Sequence, residues 1–230
     1  MIPKISVIIP TLNEESVINE CLQQFEGISG PLEIMVVDGG SDDRTEELAT
    51  AHDCVRFIRS PSRGRAVQMN AGAESATGDL LLFLHADTTL PGHWRRSITD
   101  SMNGSEMAGG RFRFNISDPR RIYRWIAKGT NFRSRVLGIT YGDQAIYTSR
   151  DIFERVGGYP EILLFEDSEF ADRLKREGAF DWIDTPVMTS ARRWQRLGPV
   201  RTLMLTWLLR FLYTLSVSPK TLTRFYGTVR

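Results

Sequence analysis

Two apolar runs that each end on an aspartate constrain the fold of this 230-residue chain more than any other feature. The first is Ile34-Met35-Val36-Val37-Asp38, followed by Gly39-Gly40-Ser41-Asp42-Asp43. The second is Leu80-Leu81-Leu82-Phe83-Leu84-His85-Ala86-Asp87. Continuous apolar runs of this length suit parallel strands buried on both faces. Ligands of open α/β sheets bind beyond the carboxyl ends of such strands, where both acids fall. One acid there suits a ribose or base contact, the other a divalent metal holding a diphosphate.

The pattern around these runs alternates. Ile5 to Ile9 reads as a strand closed by Pro10, and Asn13 as the N-cap of a helix to about Gly27. Glu33–Val37 is a strand, and Ser41 or Asp42 is expected to cap a helix through Ala51. Strand Val55–Ile58, helix Gly64–Ala76 and strand Leu80–Leu84 follow. This β-α-β-α-β-α-β order predicts a parallel sheet with right-handed crossovers. In the second half, Gly109–Asn115 alternates like an antiparallel strand and Pro119–Val136 reads as a basic helix. A strand at Gln144–Thr148, helices at Arg150–Val156 and Glu166–Glu177, and a last strand at Phe180–Val187 complete the domain, set at residues 1–200.

Residues 201–230 form an appendage. Leu203–Val217 is apolar almost all round, with Thr206, Arg210 and Thr214 on one narrow stripe. Fifteen residues are too few to span a bilayer, which needs roughly 20. An interfacial helix and a helix packed on the domain or in a homodimer both fit. The net charge of +1 conceals a segregation: residues 185–230 hold eight Lys/Arg and no acid, leaving the rest with 21 basic and 28 acidic residues. A second basic stretch runs from Arg111 to Arg135, with Asp118 its only acid. Such segregation suits a membrane surface or an anionic ligand, and no nucleic-acid partner is expected. The chain enters its first strand at Ile5 without a signal peptide ahead of it, so a cytoplasmic place, peripheral on the inner face of the membrane, is expected. Cys21 and Cys54 are too few and too dispersed for a disulfide framework or a zinc site.

Several short motifs carry candidate chemistry. Asp38, followed by two glycines, can accept from a base or ribose while the backbone approaches the ligand closely. His85 and Asp87, two apart on an extended segment, point the same way, and Asp87 is the better ligand for Mg²⁺ or Mn²⁺. Glu166-Asp167 opens a helix; one of the pair is a candidate general base, the other reading being a cap. Arg63-Gly64-Arg65 and Asn70-Ala71-Gly72 bracket a helix start that could hold an anion. Arg192-Arg193-Trp194 lies where a cover over a diphosphate would attach, and Tyr141-Gly142-Asp143-Gln144 could touch the acceptor.

In order, Val7 to Glu15, Val36 to Asp43, Leu84 to Thr88 and Glu166-Asp167 resemble a family-2 glycosyltransferase of the GT-A fold. The motifs Gly64–Gly72, Phe83–Thr88 and Tyr141–Gln144 are similar to a compact bacterial subgroup labelled radical-SAM/selenodomain-associated transferase 2. The resemblance implies a nucleotide-diphosphate sugar donor, UDP being the family's commonest, and Mg²⁺ or Mn²⁺. It implies that Pro10, Thr11, Leu12, Glu14 and Asp38 line the nucleoside pocket with Arg63 nearby. Asp87 matches the metal-binding acid of the family's Asp-x-Asp motif, whose first acid is His85 here. Asp167, with Glu166 beside it, matches the base of an inverting transfer, and Gly142, Asp143 and Gln144 fall on the acceptor side. No histidine follows His93, so Arg193 or Gln195 is expected where relatives supply a late histidine. A sugar nucleotidyltransferase would need a glycine-rich phosphate loop after the first strand, and a dinucleotide oxidoreductase its G-x-G-x-x-G; neither is present. The competing class is a non-catalytic sugar-nucleotide-binding partner protein.

Overall fold

The computed structural model describes residues 2–226. One eight-stranded mixed sheet forms the centre, in the order β3-β2-β1-β4-β7-β6-β8-β5. Strands β1 (Ile5–Thr11), β2 (Leu32–Asp38), β3 (Val55–Arg59) and β4 (Leu80–Phe83) are parallel. Their helices are α1 (Ile18–Gln23), α2 (Thr45–Thr50) and α3 (Arg65–Ser75). The alternation read from the sequence is thus the observed one.

Central strand β1 shows why both faces are apolar. Ile5, Val7 and Ile9 pack with Leu22 of α1 and Ile98 of α4 (Trp94–Met102). Ile8 points the other way, towards Met69 of α3 and Phe170 of α7 (Glu166–Glu177). The result is three layers, with period-2 side chains feeding two cores. Helix α3 lies very close to the sheet: a Cβ on Gly72 would sit 2.5 Å from Ile8 Cγ2 and 3.0 Å from Val37 Cγ2. Only glycine permits that approach.

The second half completes the sheet. Strand β5 is Thr88–Thr89, β6 Met107–Ile116, β7 Ile146–Ser149 and β8 Ala179–Thr189. Strand β7 runs antiparallel to β4 and meets β6 antiparallel through Gly110 and Tyr147. The antiparallel character expected of Gly109–Asn115 holds for that one pairing. Along most of its length β6 is parallel to β8, and β5 closes the edge antiparallel to β8.

Helices α5 (Arg121–Leu137) and α6 (Arg150–Arg155) fall where the sequence places them. Two start signals differ. Asn13 does not cap a helix: it adopts φ +57°, its N–H donates to Ser41 Oγ (2.9 Å) and its Oδ1 accepts from Asp42 N (2.8 Å). It ties the β1–α1 loop to the β2–α2 loop, and α1 begins five residues later. Neither Ser41 nor Asp42 caps α2; Asp43 accepts from Thr45 N (3.0 Å) at its start. Beyond β8 come α8 (Arg192–Leu197), α9 (Pro199–Thr214) and α10 (Pro219–Tyr226). Leu209 of α9 and Leu222 of α10 bury against Leu164 and Phe165. Among the described residues no helix is long and apolar enough to cross a membrane.

Candidate active site

The first wall of the site is the pair of loops after β1 and β2. Asp38 is only 5% exposed, and its own loop occupies both carboxylate oxygens. Oδ2 accepts from the N–H groups of Gly40 and Ser41 (both 2.8 Å), and Oδ1 from the hydroxyls of Thr11 and Ser41. Asp38 therefore shapes the loop, whatever else it contacts. Pro10 pairs in register with Val37, and Leu12 leads into the Asn13 turn. Arg63 reaches over this loop to Gly40 O (3.1 Å) and is otherwise exposed. Gln68 of α3 joins the two strand ends: its amide donates to Thr11 O (2.7 Å) and Val37 O (2.8 Å). Sequence reading missed Gln68, since nothing local marks a buried amide.

The second wall follows β4. Asp87 is held by its backbone, its carbonyl accepting from Ser190 N (2.9 Å) beyond β8. Burial pushes its carboxyl upward, and Arg192 and Arg65 offset that in part. Arg192 Nη2 stands 2.7 Å from Glu14 Oε2 and 3.8 Å from Asp87 Oδ2, and its Nη1 donates to Ser16 Oγ (2.7 Å). The sequence offers Arg193 or Gln195 for the place of a late histidine. The guanidinium facing Asp87 is that of Arg192, and Arg193 instead acts on Asp143. Successive residues of a helix project about 100° apart, so one residue decides which way the charge points. Gln195 turns away to Asp118 Oδ2 (3.1 Å).

The third wall is built from the turn Gly142–Gln144 and the start of α7. A Cβ on Gly142 would lie 2.5 Å from Asp167 Oδ2 and 2.6 Å from His85 Nε2. Three segments distant in sequence thus meet around one bare α-carbon. Asp167 is 6% exposed, and its Oδ1 has no hydrogen-bond partner among the described residues. Burial raises its carboxyl, the Glu166 charge raises it further, and Arg65 opposes both. Arg65 Nη1 lies 3.4 Å from Glu166 Oε1 and 3.9 Å from Asp167 Oδ2. Asp143, partly buried, is pushed up to about 6 by desolvation against the pull of Arg133 and Arg193. Gln144, expected on the acceptor side, is turned inward: it bonds Ser134 Oγ of α5 and Tyr141 N. Two non-glycine residues next to this wall have left-handed backbones, Ala145 at φ +49° and Phe165 at +68°. Such strain gathers at functional sites.

Among the described residues no three of His, Cys, Asp and Glu gather closely enough to hold a metal on protein atoms alone. The donor set does fit a hard cation shared with a substrate. Asp87 is a single, incompletely balanced carboxylate, and Mg²⁺ or Mn²⁺ commonly takes one or two such groups plus phosphate oxygens.

A parallel half-sheet with carboxylates and arginines at its carboxyl edge, continued by a mixed half that brings a further acid to the same place, defines the GT-A class of nucleotide-sugar enzymes. The chain belongs to glycosyl transferase family 2, whose profile matches residues 6–156. It is similar to the glycosyltransferase AglE of Haloferax volcanii, 30% identical over 71% of this chain and 58% of that one. It is also similar to the probable glycosyltransferase YdaM of Bacillus subtilis, 28% identical over 77% and 48%. The chain thus spans about half the length of these curated relatives. Among solved structures, a Pyrobaculum calidifontis mannosyltransferase in complex with GDP-Man and Mn²⁺ superposes with a TM-score of 0.62, at 24% identity over 86% of this chain and 61% of that one. S. aureus TarS 1–349 with UDP-GlcNAc gives 0.67, at 16% identity over 81% and 58%. At these identities the likeness is one of fold.

Proposed function

We propose that the protein is a metal-dependent, inverting glycosyltransferase that moves a sugar from a nucleotide diphosphate to a hydroxyl or lipid-linked acceptor. The observation that carries this reading is the meeting of His85, Gly142 and Asp167, with Asp87 two residues on from His85 and the Asp167 carboxyl raised towards neutrality. In this reading residues 1–200 are the transferase domain and 201–230 an appendage. The three matching motifs support a place in the compact bacterial subgroup named above.

Pro10, Thr11, Leu12, Glu14 and the Asp38 loop receive the nucleoside, with Arg63 over its edge. Asp87 would hold Mg²⁺ or Mn²⁺ together with the diphosphate, with His85 and Arg192 turned to the same anion and Arg193 beside Asp143 at its margin. When bound, the cation supplies neutralisation of the charge that develops on the leaving diphosphate. Asp167, kept partly protonated at rest by burial and Glu166, takes the proton of the acceptor hydroxyl. The acceptor oxygen forms its bond to the anomeric carbon from the face opposite the diphosphate. The carbon–oxygen bond to the diphosphate breaks, and its electron pair leaves with the nucleotide. In-line displacement of this kind inverts the anomeric centre. Arg65 steadies Glu166 and Asp167, and Gly142 and Asp143 border the acceptor. A relative that aligns with 53% of this chain, a Pseudomonas paraeruginosa undecaprenyl-phosphate 4-deoxy-4-formamido-L-arabinose transferase, is 33% identical there and favours a membrane-borne acceptor, with the protein peripheral on a membrane.

The test is calorimetric titration with UDP-, GDP- and dTDP-sugars in Mn²⁺ or Mg²⁺. One donor should bind in a metal-dependent way, and Asp87→Ala should weaken it at least tenfold. Absence of binding by every donor to folded protein would overturn the transferase reading and that of a sugar-nucleotide-binding partner alike; binding with no turnover, unchanged by Asp167→Asn, would favour the partner protein.

A further inference from the structure

The surface formed by α5 and α9 exposes more apolar area than folding requires. Helix α5 buries Tyr123, Ile126, Ala127 and Thr130 against the domain and turns Trp125 (69% exposed), Phe132 (70%), Val136 and Leu137 outward. Helix α9 has two apolar faces. Its inner face, with Leu209, packs on Leu164 and Phe165. Its outer face carries Val200, Met204, Trp207, Leu208 and Phe211, all at least half exposed and spaced as one helical stripe. The two stripes adjoin, since the Arg133 guanidinium of α5 lies over the Trp207 ring at 5.9 Å. A groove of about 430 Å³ beside α5, lined by Lys128, Phe132, Arg135 and Trp182, extends the same face.

Charge decides what such a face meets. Helix α5 carries Arg121, Arg124, Lys128, Arg133 and Arg135 and no acid, and residues 185–230 carry none either. Acids around α5 have cationic partners: Asp118 pairs with Arg120 (2.8 Å), Asp184 with Arg113 (3.7 Å), and Asp143 lies under the pull of Arg133 and Arg193. A second copy of the chain would set cations against cations, which disfavours self-pairing. An anionic lipid surface matches every feature: apolar residues to insert, tryptophans for the interface, and cations for the headgroups. Helix α9, with 16 residues or about 24 Å, lies in the plane of such a surface and does not cross it.

We propose that α5 and α9 together form a docking face for an anionic phospholipid bilayer. The inner face of α9 packs on Leu164 and Phe165, just before Glu166 and Asp167, so the helix that meets the bilayer also supports the segment bearing the candidate base. That the acceptor is membrane-borne rests on the transferase reading; the docking face does not.

The test is flotation of the full chain with extruded vesicles of phosphatidylcholine, with and without 30% phosphatidylglycerol (roughly the anionic content of a bacterial leaflet). Binding should need the anionic lipid and weaken with salt. The quadruple variant Arg121→Gln, Arg124→Gln, Lys128→Gln, Arg135→Gln, and separately Trp207→Ser with Phe211→Ser, should each lose at least tenfold. Circular dichroism and donor titration show whether the variants keep their fold and nucleotide site. Failure of the wild type to float with anionic vesicles, or equal flotation of wild type and variants, overturns the proposal. So does a dimer in sedimentation that Trp207→Ser with Phe211→Ser dissociates. Vesicle binding without donor binding leaves the docking face standing and removes the transferase reading.

Discussion

In the proposed transfer, Asp167 is the residue on which the chemistry turns. A buried carboxyl raised by desolvation and by Glu166 is deprotonated only as the pH climbs towards neutrality, so the rate should rise with pH across that limb. Asp167→Asn should lower kcat by roughly 10²–10⁴-fold and flatten the rising limb while donor affinity, read by calorimetry, stays within about threefold. A loss under about tenfold would point to a phosphate acceptor, which needs little help from a base. The placement of Asp167, Asp87 and His85 at strand or helix ends was legible in the sequence, because local pattern identifies those ends. Arg192, Arg65 and Gln68 were harder to read. Their partners lie 178, 101 and 57 residues away, and no spacing along the chain encodes those meetings. Gln144 misled for the converse reason: a polar residue in a turn looks available until Ser134 of α5 claims it.

Helix α8 delivers a cation to two acids. Its first residue, Arg192, spans Glu14 and Asp87, so α8 and the β1–α1 loop are coupled through it. Arg192→Ala should lower stability modestly, about 1 kcal/mol for a half-exposed pair. It should also enlarge the rise in Tm on adding Mn²⁺ without donor, since a bound cation would replace the lost charge; an equal rise in variant and wild type refutes the coupling. Most elements could be read from the sequence, and the exceptions have physical causes. Helix α1 starts late because Asn13 is spent on the neighbouring loop. Helix α4 was overlooked although Trp94, Ile98 and Met102 fall four apart, the spacing of one buried helical face. The insertion of β8 between β6 and β5 was not legible at all, since strand order is a tertiary fact.

Across the whole molecule, placing acids at the sheet edge has a thermodynamic cost. Asp143, with its carboxyl near 6 in the fold and an ordinary value once unfolded, binds more protons folded than unfolded between those values. Stability from this group is therefore greatest below about pH 4 and falls as the pH rises to about 6. Asp143→Asn should remove that slope: its stability relative to wild type, measured in urea, should gain on the order of 2–3 kcal/mol from pH 4 to pH 7. The sheet order also sets a sequence of events in time. Strands β1 to β4 can pair as soon as the first 83 residues have emerged, but β5 finds its partner only in Thr189 and Met188. Such distant pairings form slowly. Asp87, one residue before β5, has its carbonyl fastened by the N–H of Ser190, so its final position waits on nearly the whole chain. In pulse-labelling hydrogen exchange during refolding, the Ser190 amide should gain protection later than those of Val7 and Ile34. A newly made chain would then pair its first four strands before the far edge of its sheet is complete, and a truncation before β8 would leave those strands able to pair but Asp87 without the Ser190 amide that fastens it.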